Sequence, residues 1–246
     1  MRAPESGPPG PPQEAPRRLR RAEAVLARRT GSLLLVVERC EDDYNYQAVL
    51  RTADCFGVQK VWIVATEPGR PHPRSNPVTK GAWRWLSLRH FPDPRSAIEA
   101  LREEGWTVWA TDLSRAAEEV GPGTLEPVPD RLALVVGRET DGVSQEMLAA
   151  ARRRLYLPVH GFSESLNLNA ATALFLQRIF DARPGLRGDL TENEKAALRA
   201  EWYPRLARSE RVRQEFLRWL EHPPPPLPEV RVEEGFRIPR RGRRRS

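Results

Sequence analysis

The stretch SESLNLNAATALFLQRIF, residues 163–180, opens on four small polar side chains, Ser163, Ser165, Asn167 and Asn169, interleaved with leucines. A helix start leaves backbone N–H groups unpaired, and one such side chain suffices to cap it. The others are available to orient a ligand at that helix end. A second stretch, LVVGRETDGVS, runs an apolar strand straight into Gly137, Glu139 and Asp141 before a helix signal at Ser144. In open α/β sheets ligands bind beyond the carboxyl ends of strands, which is where this loop falls; a plain turn would have the same composition. A third, NYQAVLRTADCFGV, puts Asn45 at a helix start and Arg51 off the apolar stripe of Val49, Ala53 and Phe56. Capping and solvation are the ordinary roles of those two residues.

Several chemistries are disfavoured. GPGTLE, residues 121–126, lacks the last glycine of a dinucleotide fingerprint, and no GxxxxGK[ST] phosphate loop occurs. Gly161-x-Ser163 begins like a hydrolase elbow, but Ser165 stands where the second glycine belongs. With only Cys40 and Cys55, no CxxC pair and four scattered histidines, neither a disulfide framework nor a metal site is expected.

The elements that must position these segments alternate. Apolar strands at 33–40, 60–65, 106–111, 131–137 and 154–159, with a short strand at 85–91, are separated by helices at 46–56, 94–104 and 144–152, and a long helix starts at Leu166. Uninterrupted apolar strands between helices predict a parallel sheet covered on both faces, hence an α/β fold. Residues 1–16 read as a Pro-rich tail, 17–30 as a basic N-terminal helix, 31–185 as the α/β domain, 186–222 as a helical extension with Thr191 and Glu194 in capping-box spacing, and 223–246 as a Pro/Arg-rich tail.

With 246 residues, 39% of them hydrophobic, the chain can build a substantial core. Its net charge of +7 is concentrated in arginine clusters at both ends, among them Arg17, Arg18, Arg20, Arg21, Arg28 and Arg29. Such clusters favour a polyanion, and nucleic acid is the commonest. An anionic membrane surface is the competing partner, disfavoured because no apolar face accompanies the arginines. The first residues lack the apolar core of a secretory signal and no apolar run reaches a membrane span, so a cytoplasmic, membrane-free protein is expected.

Taken together, NYQAVLRTADCFG, LALVVGRETDGVS and LYLPVHGFSESLNLNAATAL resemble, in order and spacing, the three motifs of the SpoU (TrmH-type) RNA 2′-O-ribose methyltransferases of the SPOUT superfamily, over roughly residues 31–182. The resemblance implies a parallel sheet whose C-terminal part is tied in a deep trefoil knot, a known exception to unthreaded topology. It implies S-adenosylmethionine held by Gly137, Leu157 and Leu166, with Thr111 a weaker member. It assigns catalytic roles to Arg51, Asn45, Glu139, Ser165 and Asn167, and it implies a homodimer. The basic helix and tail would grip RNA phosphates, with a guanosine in the D-loop of tRNA as the expected target. Ribosomal RNA is the alternative substrate, and a non-catalytic RNA-binding protein on the same fold the alternative class.

Overall fold

The computed structural model describes residues 15–40, 42–65, 81–138 and 140–228. They fall into two compact units. One is Arg28–Glu194; the other combines the chain up to Ala27 with the chain from Lys195 on.

The larger unit is built on seven strands, β1 (Thr30–Glu38), β2 (Val58–Val64), β3 (Ser87–Phe91), β4 (Thr107–Thr111), β5 (Glu118–Glu119), β6 (Leu132–Val136) and β7 (Arg153–Tyr156). They form one sheet in the order β3-β2-β1-β6-β4-β7-β5, parallel throughout. The helices are α2 (Asp43–Phe56), α3 (Pro94–Glu103), α4 (Gln145–Ala150) and α5 (Leu168–Ala182); α1 belongs to the smaller unit.

Strand alternation divides the core. Leu33, Leu35 and Val37 of β1 and Leu132, Leu134 and Val136 of β6 pack with residues of α2 and α5, while Leu34, Val36, Ala133 and Val135 pack with residues of α3 and α4. All of these central strand residues are buried, each contributing about 1.5–3 kcal/mol where the side chain is a fully buried Val or Leu. A strand wet on one face would have alternated; these read as continuous apolar runs because both faces are covered.

Helix ends follow local chemistry. Asp42, not Asn45, caps α2: its carboxylate accepts from the Asn45 N–H at 2.8 Å. Gly57 ends α2 in the left-handed region at φ 83°, and a Cβ there would meet the Arg28 carbonyl oxygen at 2.8 Å. Asp93 caps α3 with Pro94 in its first turn, and Ser144 caps α4. The long helix begins at Leu168 rather than Leu166, with Asn167 as its cap. Thr191 and Glu194 form the expected reciprocal capping box, at 3.2 and 3.0 Å.

The two-residue β5 has no counterpart among the predicted elements. It pairs with β7, which therefore lies between β4 and β5, so the link 112–117 spans across β7 near its carboxyl end.

Arg29 does not face solvent. It is 1% exposed, ion-paired to Asp54 and donating to the Val58 carbonyl at 3.1 Å. The expectation that it joins an RNA-facing arginine cluster is corrected: a guanidinium buried this completely must be paired.

The smaller unit holds α1 (Arg17–Leu26), α7 (Glu210–Arg218) and most of α6 (Glu192–Leu206), and α1 and α6 meet at a buried carboxylate. Glu23 accepts from Arg199 Nε and Nη2 at 2.9–3.1 Å and from the Tyr203 hydroxyl at 2.6 Å. Burial, and then the Glu23 carboxylate, push the Tyr203 phenol well above its ordinary range. Leu19, Ala22, Glu23 and Leu26 make the buried face of α1, so this helix is docked along one side rather than solvated all round. Arg17 and Arg21 are exposed, as is Arg28 at the start of the larger unit. Arg18 reaches the Leu206 carbonyl at 2.8 Å and Arg20 the Pro225 carbonyl at 3.3 Å.

Candidate active site

The carboxyl ends of β4, β6 and β7 open onto a cavity of about 340 Å³. Thr111 comes from the end of β4, Gly137 from just past β6, Leu157 from just past β7, and Ser165 and Leu166 from the approach to α5; all five line it. The four residues expected to hold the cofactor thus share one wall system, joined by a residue from the catalytic list. The volume lies within the roughly 300–1,000 Å³ usual for small-molecule sites.

Gly137 has a second reason to be glycine. A Cβ there would meet the backbone carbon of Gly142 at 2.2 Å and the Val143 nitrogen at 2.3 Å. The chain folds back on itself at this point, with Arg138 and Gly142 exchanging backbone hydrogen bonds at 3.2 and 2.8 Å. Asp141 ties the tip together, bonded to Arg138 Nε at 2.5 Å and to the Thr140 hydroxyl at 2.7 Å, and ion-paired to Arg39. The Arg138 hydrogen bond, then that of Thr140, hold its carboxyl far below the usual carboxylate range. Glu139 lies outside the described residues.

The first and third motifs meet directly. The Asn167 side-chain amide donates to Asn45 Oδ1 at 2.9 Å while its own Oδ1 accepts from the Asn169 N–H at 3.0 Å. Seven residues beyond Asn45 along α2, the Thr52 hydroxyl donates to Asn169 Oδ1 at 2.6 Å. Of the four polar side chains opening this helix segment, Asn167 caps, Asn169 bridges to α2 and Ser165 lines the cavity; Ser163 is exposed. Arg51 is exposed on α2, about 9 Å along the helix axis from Asn45 at 1.5 Å per residue, and it makes no ion pair or hydrogen bond among the described residues.

Two titratable side chains on these segments are buried. Burial, ahead of the neighbouring Cys40 and Asp43, pushes the Tyr46 phenol up to about 12, so it stays neutral near pH 7. Glu38, the last residue of β1, is fully buried, and burial raises its carboxyl despite two hydrogen bonds from Ser144. Asparagines take up no proton.

Glu38, Arg39 and Thr52 escaped assignment from sequence, while Ser144 was read only as a helix cap and Asn169 only as part of the polar run. Glu38 had one signal, a carboxylate ending the apolar run LLLVVE.

The sequence profile of the SpoU rRNA Methylase family matches residues 32–177. The chain belongs to this family. Within the SpoU group, it is similar to the tRNA (guanosine(18)-2'-O)-methyltransferase of Thermus thermophilus, with 36% identity over 65% of this chain and 79% of the relative. The enzyme of the same name from Escherichia coli is 30% identical over 72% of this chain and 76% of the relative. In three dimensions it resembles the TrmH/SpoU tRNA modifying enzyme of A. aeolicus, with a TM-score of 0.67 and 26% identity over 78% of this chain and 98% of the other.

Proposed function

We propose that this SpoU-family protein is an enzyme that transfers the methyl group of S-adenosylmethionine to a ribose 2′-oxygen of RNA, at a guanosine in the D-loop of tRNA. The observation that carries the reading is the convergence of Thr111, Gly137, Leu157 and Leu166 on one cavity, with Ser165 among them. Those residues suit the cofactor: Leu157 and Leu166 offer apolar walls, and Gly137 leaves backbone where a side chain cannot fit. When bound, S-adenosylmethionine supplies an electrophilic methyl on a positively charged sulfonium.

The chain's own residues then have two tasks. Asn45 and Asn167, bonded to each other, set the relative position of the first and third motifs. Arg51, exposed and uncommitted among the described residues, meets the substrate. As the C–O bond forms, the ribose hydroxyl loses its proton to solvent or to a basic group. A guanidinium with pKa above about 12 is a poor acceptor, so Arg51 acts by stabilising the developing oxyanion and a flanking phosphate. The carboxylate of Glu139 completes the set assigned by motif position.

Arg17, Arg21 and Arg28 are exposed, which supports phosphate contacts by each of them. The enzyme works as a homodimer: Phe162, Leu166 and Leu174 are large apolar side chains left exposed on and just before α5. The passage of 112–117 across β7 supports the trefoil thread. Among the described residues no helix is long and apolar enough to cross a membrane.

Ribosomal RNA is the second reading, favoured by the description of the matched family itself. Incubation of the protein with labelled S-adenosylmethionine and either tRNA or ribosomal RNA, followed by mapping of ribose methylation, separates the two. Arg51→Ala is expected to cut transfer by roughly a hundredfold or more with an unchanged melting temperature. A fully active variant refutes the role given to Arg51, and methylation of neither RNA refutes the proposed reaction.

A further inference from the structure

Two consecutive residues at the end of β1 grip the loop that follows β6. Glu38 is 0% exposed at the end of a strand whose neighbouring residues are apolar. A buried carboxylate is costly unless hydrogen-bonded, and here both oxygens are used: the Ser144 N–H donates to Oε2 at 2.8 Å and the Ser144 hydroxyl to Oε1 at 2.5 Å. Ser144 in turn caps α4, its Oγ accepting from the Met147 N–H at 3.2 Å. The next residue, Arg39, takes the left-handed conformation at φ 57°, rare for a side chain of its size, and its guanidinium pairs with Asp141. Backbone strain of this kind persists only where the surroundings over-determine it.

The segment so gripped is a wall of the cavity. Gly137, Arg138, Thr140, Asp141, Gly142 and Val143 all line it. Glu38 fixes the segment's far end at Ser144, Arg39 its tip at Asp141, and the close approach of Gly137 to Gly142 leaves it no slack.

We infer that Glu38 and Arg39 are positioning residues for the cofactor, a two-point clasp that holds the wall of Gly137, Arg138 and Thr140–Ser144 in its binding shape from the end of β1. The inference rests on the cofactor reading given above. Neither residue touches the reacting atoms; both act through Ser144 and Asp141. Because β1 runs on into α2, the clasp also ties the cofactor wall to the helix that carries Asn45 and Arg51.

The test is calorimetric titration of the 246-residue chain with S-adenosylhomocysteine, with thermal melts of each variant alongside. Glu38→Ala and Ser144→Ala are each expected to weaken binding about tenfold or more, the scale of losing hydrogen bonds to a charged group. The double variant should be scarcely weaker than Glu38→Ala alone, since both remove one contact. Glu38→Gln should recover part of the affinity, its amide oxygen still accepting from the Ser144 N–H. In turnover assays the loss should fall on KM for S-adenosylmethionine rather than on kcat. A merely structural pair would lower melting temperature and leave affinity of the folded protein unchanged, and that result overturns the clasp. So do additive losses in the double variant. Should Glu38→Ala fail to fold, Ser144→Ala and Asp141→Ala decide by the same titration. A wild-type chain that does not bind S-adenosylhomocysteine refutes the cofactor reading itself, whereas a binding wild type with indifferent variants refutes only the clasp.

Discussion

Removing the Asp54 carboxylate should destabilise the larger unit through Arg29, and the size of the effect can be worked from the structure. Arg29 is 1% exposed and Asp54 30% exposed at its side chain, so the guanidinium is the desolvated partner. Burial lowers the Arg29 pKa, with Asp54 the main opposing influence. Asp54→Ala removes that opposing charge, while the Val58 carbonyl at 3.1 Å remains as a neutral acceptor. Breaking a buried pair from one side costs about 3 kcal/mol or more, of which the better helix propensity of alanine in α2 returns about 0.5 kcal/mol. A unit of about 170 residues has an unfolding entropy near 0.36 kcal/mol/K, so a net loss of about 2.5 kcal/mol lowers the melting temperature by about 7 °C. Arg29→Met, which removes the charge and keeps apolar volume, should lose much less, on the order of 1 kcal/mol. Differential scanning calorimetry measures both, and filter binding at fixed salt should find RNA affinity intact in both. A melting temperature for Asp54→Ala within about 2 °C of wild type would refute the buried-pair reasoning. Weakened RNA binding by a stable Arg29→Met would return Arg29 to the nucleic-acid surface.

Gly137→Ala puts a methyl group 2.2 Å from the Gly142 backbone carbon; the wall must shift, and titration calorimetry should show S-adenosylhomocysteine binding lost. Asn167→Ala removes the α5 cap and the bond to Asn45, costing about 1–2 kcal/mol in a melt, whereas Asn167→Asp keeps the cap acceptor but not the donor to Asn45, and so should melt near wild type while losing methyl transfer. Burial raises the Glu38 pKa above its unfolded value. The folded state therefore binds more protons between those two values, and this group's contribution to stability falls as pH rises through that window. Melting temperature followed upward from about pH 4.5 should show this decline in wild type and lack it in Glu38→Gln; identical profiles would remove Glu38 as its source.

The sheet was legible in the sequence because a strand covered on both faces must be apolar along its length, and LLLVV, VWIV and LALVV are. Glu118–Glu119 was not, since two exposed glutamates become a strand only because β7 offers an edge. The cap of α2 was misplaced by three residues: Asp42, Asp43 and Asn45 are all able to cap, and only the fold shows that Asp42 takes the task, leaving the Asn45 side chain for Asn167. The basic cluster misled at Arg29, because nothing local announces that Asp54 will meet it. The convergence of Thr111, Gly137, Leu157 and Leu166 on one cavity agrees with the order of the motifs that carry them. The grip of Glu38 and Arg39 on Ser144 and Asp141 did not, because a contact across about a hundred residues leaves no periodic trace.

The pairing of β1 with β6 has a consequence for biosynthesis. The central strand emerges from the ribosome about a hundred residues before its neighbour on that side, and at 5–20 residues per second that interval is roughly 5–20 s. Until then Leu33, Leu35 and Val37 are apolar edge awaiting a partner, and no nascent chain shorter than about Asn169 contains all the residues that shape the cavity or join the first and third motifs. A small ligand can therefore assist folding only after the third motif has emerged, and protection of the early strand before that moment falls to chaperones.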